Sequence, residues 1–267
     1  MIETTLLLAA LAASQGQALE IVLPDEPGLA AATIEWNGRT AAFAHAGSQW
    51  LALVGVDLEA EPGTHDLKIN VRFADARTEV RTEEVEVAAG TFPTTQLEVE
   101  PRYVELSVED AARAAREDRT IAAIYATTTP ERLWRGPFAV PLEGVDGGRN
   151  FGHRRVFNGE PRAPHSGTDL EAETGTPVRA ANRGRVVLCQ NLFFSGNAVF
   201  LDHGMGVYSV YLHLSRIQVN EGDVVERGAV VGLAGATGRV TGPHLHWGVR
   251  VLGARVDPFT LLSLGSE

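Results

Sequence analysis

The sequence predicts an all-β protein of two domains joined by one helix. Three observations carry that prediction. Short alternating apolar and polar runs, broken by turn residues, fill about residues 19 to 97. The stretch 107–126, "SVEDAARAAREDRTIAAIYA", changes to a helix-forming Ala/Arg/Glu composition. From about residue 137 onward, Gly and Val dominate and short strands return. At 267 residues the chain is long enough to give two domains real cores.

The elements follow in order. The N-terminus, "MIETTLLLAALAASQGQALE", has a short apolar run over residues 6 to 13 followed by small and polar residues. Residues 1–18 therefore read as a secretory signal cut near Ala18, although the leader carries Glu3 and no Lys or Arg. The competing reading is a helical or strand-like leader. In "HDLKINVRF", Leu67, Ile69, Val71 and Phe73 share one face, with turns expected in "EPGTH" before it and "ADAR" after it. Residues 19–100 are thus expected to form a small Ig-like β-sandwich. His45 and His65 stand alone in it and read as surface residues. Ser107 and Asp110 make a capping-box-like helix start, and "TTTPERLWRGPF" reads as an extended linker, so 101–136 is the connector. Residues 137–267 form the second β domain, which holds six of the eight histidines.

Bulk properties exclude several classes. A net charge of -11 gives no support for binding nucleic acid or anionic membranes. No apolar stretch reaches the ~18 residues of a spanning helix, so no transmembrane segment is expected. Cys189 is the sole cysteine, which rules out an intrachain disulfide and thiolate metal clusters. It is expected to be a buried, inert strand thiol. Lys68 is the sole lysine and lies in the first domain. A biotinyl- or lipoyl-type carrier, suggested by "VNEGDVVERGAVVGLAG", therefore lacks its attachment residue.

Chemistry gathers in the second domain. In "TGPHLHWGV", His244 and His246 are two apart on a strand and project to one face. In "PHSGTDL", His165 and Asp169 flank a bend that could bring them to one ion. "VYSVYLHLS" ends on His213, whose strand face is shared by Tyr211 rather than Tyr208. That makes four histidines and one aspartate in three segments. A catalytic zinc site uses three protein ligands and one open position, which leaves two histidines over. Such a surplus suits hydrolysis: the ion acidifies water while free imidazoles move protons and steady the oxyanion. A structural zinc site would instead be closed by four Cys/His ligands.

In order along the chain, H-x-x-x-D at 165–169, Y-x-H-L at 211–214 and G-P-H-L-H at 242–246 resemble the M23 family of zinc endopeptidases, the lysostaphin- and LytM-like enzymes. "FGHRR", "GTPVRAANRGRVV" and "VDPFTLL" agree, so the similarity runs from about 137 to 263. The resemblance implies an antiparallel β, LytM-like (duplicated hybrid motif) catalytic domain. It implies one Zn2+ held by His165, Asp169 and His246, with His213 and His244 unligated and catalytic. It also implies peptidoglycan peptides as substrate and a periplasmic, extracellular or envelope location in a bacterium. For the N-terminal domain three roles are open: positioning the enzyme, binding an envelope protein partner, or covering the groove. Some LytM-like proteins are inactive regulators of other wall hydrolases, typically with metal ligands lost; here all the expected ligands are present. His153 and His203 fall outside the metal pattern and are expected in turns or at the surface. Where relatives often carry a serine shortly before the FG pair, this chain has Arg149 and Asn150, a departure expected to alter the groove.

Overall fold

The computed structural model describes residues 11–145, 148 and 150–264. The N-terminal strands are β1 (Leu11–Ser14), β2 (Ala18–Pro24), β3 (Leu29–Trp36), β4 (Arg39–Ala42), β5 (Ala44–Ala46), β6 (Gln49–Gly55), β7 (Gly63–Phe73) and β8 (Thr78–Ala88). They form one sheet in the order β1-β8-β7-β3-β4 and another in the order β2-β6-β5. Alternation decides which side chains go inside. Leu67, Ile69, Val71 and Phe73 are all buried while the residues between them are exposed. They meet Ile21, Leu23, Leu51 and Leu53 of the smaller sheet in one apolar core.

The second half of the apolar leader lies in a sheet. Leu11–Ser14 runs parallel to β8, with Leu11 opposite Val85 and Ala13 buried. Gly16 N–H donates to Val56 O at 2.9 Å and Val56 N–H donates to Gln17 O at 2.8 Å. The cleavage point expected near Ala18 falls between two paired strands, and cutting there would remove β1. A short Ala-rich run satisfies a signal pattern and a strand pattern equally, and here its second half is built into a sheet. The rest of that leader, residues 1–10, lies outside the described residues.

Next come β9 (Thr94–Leu97), the helix α1 (Val108–Ala126), β10 (Arg154–Phe157), β11 (Glu160–Pro161), β12 (Gly167–Glu171), β13 (Pro177–Arg179), β14 (Gly184–Leu192), β15 (Gly196–Gly204) and β16 (Val207–Leu214). They are followed by β17 (Arg216–Ile217), β18 (Val224–Val225), β19 (Val230–Leu233), β20 (His244–Val251) and β21 (Ala254–Val256). The main sheet runs β12-β20-β16-β15-β14-β18, with β21 added to β20. Smaller sheets are β13-β19-β17 and β11-β10-β9. The sequence reading assigned β9 to the first domain, yet it pairs in parallel with β10 of the second.

Ser107 caps α1 by accepting from Asp110 N–H at 3.0 Å. The helix packs Ile121, Ile124 and Tyr125 on Leu188, Leu192 and Phe200 of the main sheet. The segment read as a linker is anchored too: Leu133, Trp134 and Phe138 are buried, and Leu133 N–H donates to His203 O at 2.8 Å. Large apolar side chains make this extended strap part of the second domain. The two β units also share one continuous core. A Cβ on Gly55 would lie 2.8 Å from both Ala254 Cβ and Val251 O, so β6 can approach β20 and β21 only without a side chain there. Asp57 clamps the same edge, accepting from Arg255 N–H at 2.8 Å and Arg255 Nε at 3.0 Å.

Two residues differ from their sequence reading. Cys189 on β14 is only half-buried, and burial together with Glu221 raises its thiol pKa, which keeps it protonated and inert. His203 is a fully buried core residue rather than a turn or surface one. Its Nδ1–H donates to Arg183 O at 2.8 Å, which leaves Nε2 to accept from the Ser209 hydroxyl at 2.7 Å. Sequence placed it beside "DHG" turn residues, but the strap covers that turn. Burial pushes its pKa down to about 4. A folded value below the unfolded ~6.5 means that its contribution is complete above pH 6.5 and is lost as pH falls toward 4. Urea unfolding is therefore expected to show stability falling over that window, on the order of 3 kcal/mol from this residue. His203→Gln should give a shallower pH dependence; an unchanged one would contradict the assignment.

Candidate metal centre

Strand register builds the site. β12 and β20 are antiparallel, with Asp169 directly opposite His246 and Glu171 opposite His244. The intervening pairs, Thr168 with Trp247 and Leu170 with Leu245, are fully buried on the other face. His165 lies just before β12. Its backbone is held by His165 N–H to His153 O at 2.9 Å and Gly152 N–H to His165 O at 2.8 Å. Gly167 is a packing requirement: a Cβ there would sit 2.6 Å from His246 Nε2 and 2.5 Å from Trp247 O.

Three donor atoms converge. His165 Nε2 lies 2.8 Å from His246 Nδ1 and 3.0 Å from Asp169 Oδ1, and His246 Nδ1 lies 2.9 Å from Asp169 Oδ1. Among the described residues these three form the one group of His, Cys, Asp or Glu able to hold a metal ion. Zinc bonds of about 2.0–2.1 Å in a tetrahedron separate donors by roughly 3.3 Å, so the triangle fits after spreading by about half an ångström or less. The tautomer at His165 supports this fit. Nδ1–H donates to Asn150 O at 2.8 Å, so Nε2 presents its lone pair to the other two donors.

Asp169 divides its oxygens. Oδ2 accepts from Arg155 Nη2 and from Asn150 Nδ2 at 3.0 Å, which leaves Oδ1 to the imidazoles. Asn150 Oδ1 in turn accepts from Asp169 N–H at 2.9 Å. Burial alone would raise the Asp169 pKa, but the close approach of His165 and His246 to its carboxylate outweighs it and holds the group below the usual carboxylate range. The imidazoles move toward neutrality. Burial takes His165 down to about 4 against the opposing negative charge of Asp169, and it lowers His246 as well. The Arg155 pKa is also lowered by burial, with Asp169 opposing.

His213 and His244 stand beside this triangle. Their rings are 5.0 Å apart, and the His213 ring is 6.1 Å from that of His246. His244 Nε2 is 3.7 Å from Asp169 Oδ1. Each directs Nδ1–H to a carbonyl, His213 to Thr237 O at 2.9 Å and His244 to Gly242 O at 2.8 Å, which makes Nε2 the accepting nitrogen of each neutral ring. Burial, then His246 and His244, push the pKa of His213 down to about 3. His213 also has φ +64°, a left-handed conformation that costs a side-chain-bearing residue on the order of 1 kcal/mol or more. That turn ends the strand alternation and corrects the expectation about Tyr211, whose hydroxyl is tied to Ala181 N–H and Ser209 in the core.

All five expected residues, His165, Asp169, His213, His244 and His246, therefore meet at one place. His153 stays outside the triangle, its Nδ1 2.8 Å from Thr95 Oγ1. Sequence reasoning missed Asn150, Arg155, Thr237 and Gly242. Asn150 and Arg155 stood inside the departing "RNFGHRR" segment, where only an effect on groove shape was expected; Arg149 lies outside the described residues. Two cavities flank the centre. One of 340 Å³ touches His165, His213 and His246, and one of 420 Å³ touches Asp169, Asn150 and His244.

Comparison with known proteins agrees with this geometry. Residues 163–258 match the model of "Peptidase family M23". The chain resembles the crystal structure of a Pseudomonas aeruginosa protein assigned to peptidase M23, with 31% identity and a TM-score of 0.68 over 94% of this chain and 96% of that one. It is 47% identical over 109 residues to the peptidoglycan DD-endopeptidase ShyA of Vibrio cholerae, which covers 40% of this chain and 25% of that protein. With ShyB of the same organism it shares 43% identity over 168 residues, 63% of this chain and 39% of that protein. The chain thus spans a quarter to two fifths of the length of these curated relatives. Near-complete mutual coverage of the Pseudomonas protein, with the family match lying over the five converging residues, identifies the chain as a member of peptidase family M23.

Proposed function

We propose that this chain is a zinc-dependent endopeptidase acting on amide bonds of peptidoglycan stem or cross-link peptides. The observation that carries the reading is the convergence of His165 Nε2, Asp169 Oδ1 and His246 Nδ1 within 3.0 Å of one another, beside two open cavities. Two neutral imidazoles and one carboxylate are a donor set suited to zinc, with room for a non-protein fourth ligand. Zinc bound there would acidify a water molecule and polarise the scissile carbonyl. His244, with Nε2 free, takes the proton of the attacking water and returns it to the leaving amine. His213, with Nε2 free, accepts a hydrogen bond from that water and orients it toward the scissile carbonyl. Asn150 and Arg155 occupy Oδ2 of Asp169, so Oδ1 is the oxygen that would hold the ion.

Relatives named as peptidoglycan DD-endopeptidases support the substrate class, and such a substrate puts the activity in the periplasm or envelope. No helix among the described residues is long and apolar enough to cross a membrane. The N-terminal sandwich contributes none of the five site residues; in this reading it positions the enzyme, takes an envelope protein partner or covers the groove.

Digestion of purified peptidoglycan, followed by mass spectrometry of the released fragments, tests the reaction directly: peptide cleavage is expected, and intact peptides would contradict it. His246→Ala and Asp169→Ala should each lose stoichiometric zinc and turnover; zinc retained at one per chain would count against the ligand set. His244→Ala and His213→Ala should keep zinc while kcat/KM drops by about 10²–10⁴-fold. Asn150→Ala should weaken zinc binding by about 10–100-fold in chelator competition, because it frees the Asp169 carboxylate to rotate. An affinity equal to wild type would remove Asn150 from the account.

A further inference from the structure

The cavity on the His213 side of the centre is lined by Arg155, Arg162 and Arg239, and no aspartate or glutamate is among its lining residues. This is a concentrated positive site in a chain of net charge -11. The three guanidiniums are not equally engaged. Arg155 is taken up by Asp169, and Arg162 donates to Val104 O at 3.3 Å. Arg239 has no ion pair among the described residues; its guanidinium lies 4.6 Å from the ring centre of Phe157 and 4.5 Å from that of Phe194. Two aromatic faces fix its position without neutralising its charge. Burial, with Arg155 and Arg162 nearby, pushes its pKa down to about 10, as expected for a cation short of counter-charge that stays protonated near neutrality.

We infer that this cavity is an anion subsite that receives a free carboxylate of the peptide beside the scissile bond, with Arg239 as the specificity-determining residue and Arg162 assisting. A guanidinium fork matches a carboxylate, and the substrate supplies the missing negative charge. The inference rests on the hydrolase reading and narrows it. A polyglycine bridge carries no carboxylate next to its amide bonds, whereas a D-alanyl-diaminopimelate cross-link does. The carboxylate is either the terminal one or that of the diamino acid.

The test uses the zinc-loaded full chain and four synthetic substrates: a D-alanyl-diaminopimelate cross-linked peptide as free acid, the same amidated at the diamino-acid carboxylate, the same amidated at the terminal carboxylate, and a pentaglycine peptide. The free acid is expected to exceed one of the two amides by about tenfold or more in kcat/KM, which identifies the carboxylate bound. Pentaglycine should be cut least. Arg239→Gln should bring the acid-to-amide ratio toward one, Arg162→Gln should reduce it, and Arg239→Lys should keep part of it. A purely structural role would not move this ratio. If Arg239→Gln does not fold, the wild-type ratio and Arg162→Gln still decide. Equal cleavage of the acid and both amides by wild type overturns the subsite and leaves the hydrolase reading intact. A wild-type protein that cuts none of the four overturns both.

Discussion

The antiparallel pairing of β12 with β20 is the constraint on which the rest depends. It sets Asp169 across from His246 and Glu171 across from His244. Side chains alternate with period two, so a slip of one residue would carry Asp169 into the core and Leu170 into the site. The buried pairs Thr168–Trp247 and Leu170–Leu245 oppose that slip, because a displaced register would strand a carboxylate among apolar groups. The N-terminal sandwich bears on β20 and β21 through Gly55 and the Asp57–Arg255 clamp. It therefore braces the end of β20 away from the histidines and contributes none of the five site residues.

Electrostatics within the site follow from burial and from where each hydrogen bond goes. Burial favours the neutral form of His165, His213 and His246, and carbonyl partners at Asn150, Thr237 and Gly242 set the tautomers of His165, His213 and His244. Arg155 and Asn150 occupy one oxygen of Asp169, so the other faces the imidazoles. A carboxylate and two lone pairs drawn this close call for a cation. The left-handed backbone at His213 turns that ring out of the strand pattern to face His244.

The sequence made the five central residues legible because their chemistry is carried by rare side chains at fixed spacing. The β-sandwich was legible from the alternation at Leu67 to Phe73. What escaped had no local signature. Asn150 and Arg155 act through contacts made across a loop, and neither residue type announces a role in orienting a carboxylate. His203 sits in a sequence that reads as a turn, and only the strap from Thr129 to Phe138 turns it into core. The Leu11–Ser14 run was ambiguous in kind, since small apolar residues serve a leader and a sheet strand alike. Tyr211 was assigned to the wrong face because alternation was extended through a residue with positive φ.

The most direct test of the account is diffraction from the zinc-loaded protein at the zinc absorption edge. One anomalous peak is expected, bonded to His165 Nε2, Asp169 Oδ1 and His246 Nδ1, with a non-protein fourth ligand and with His213 and His244 unbonded. A peak coordinated by either of those two imidazoles, or closed by a fourth protein group, would contradict it.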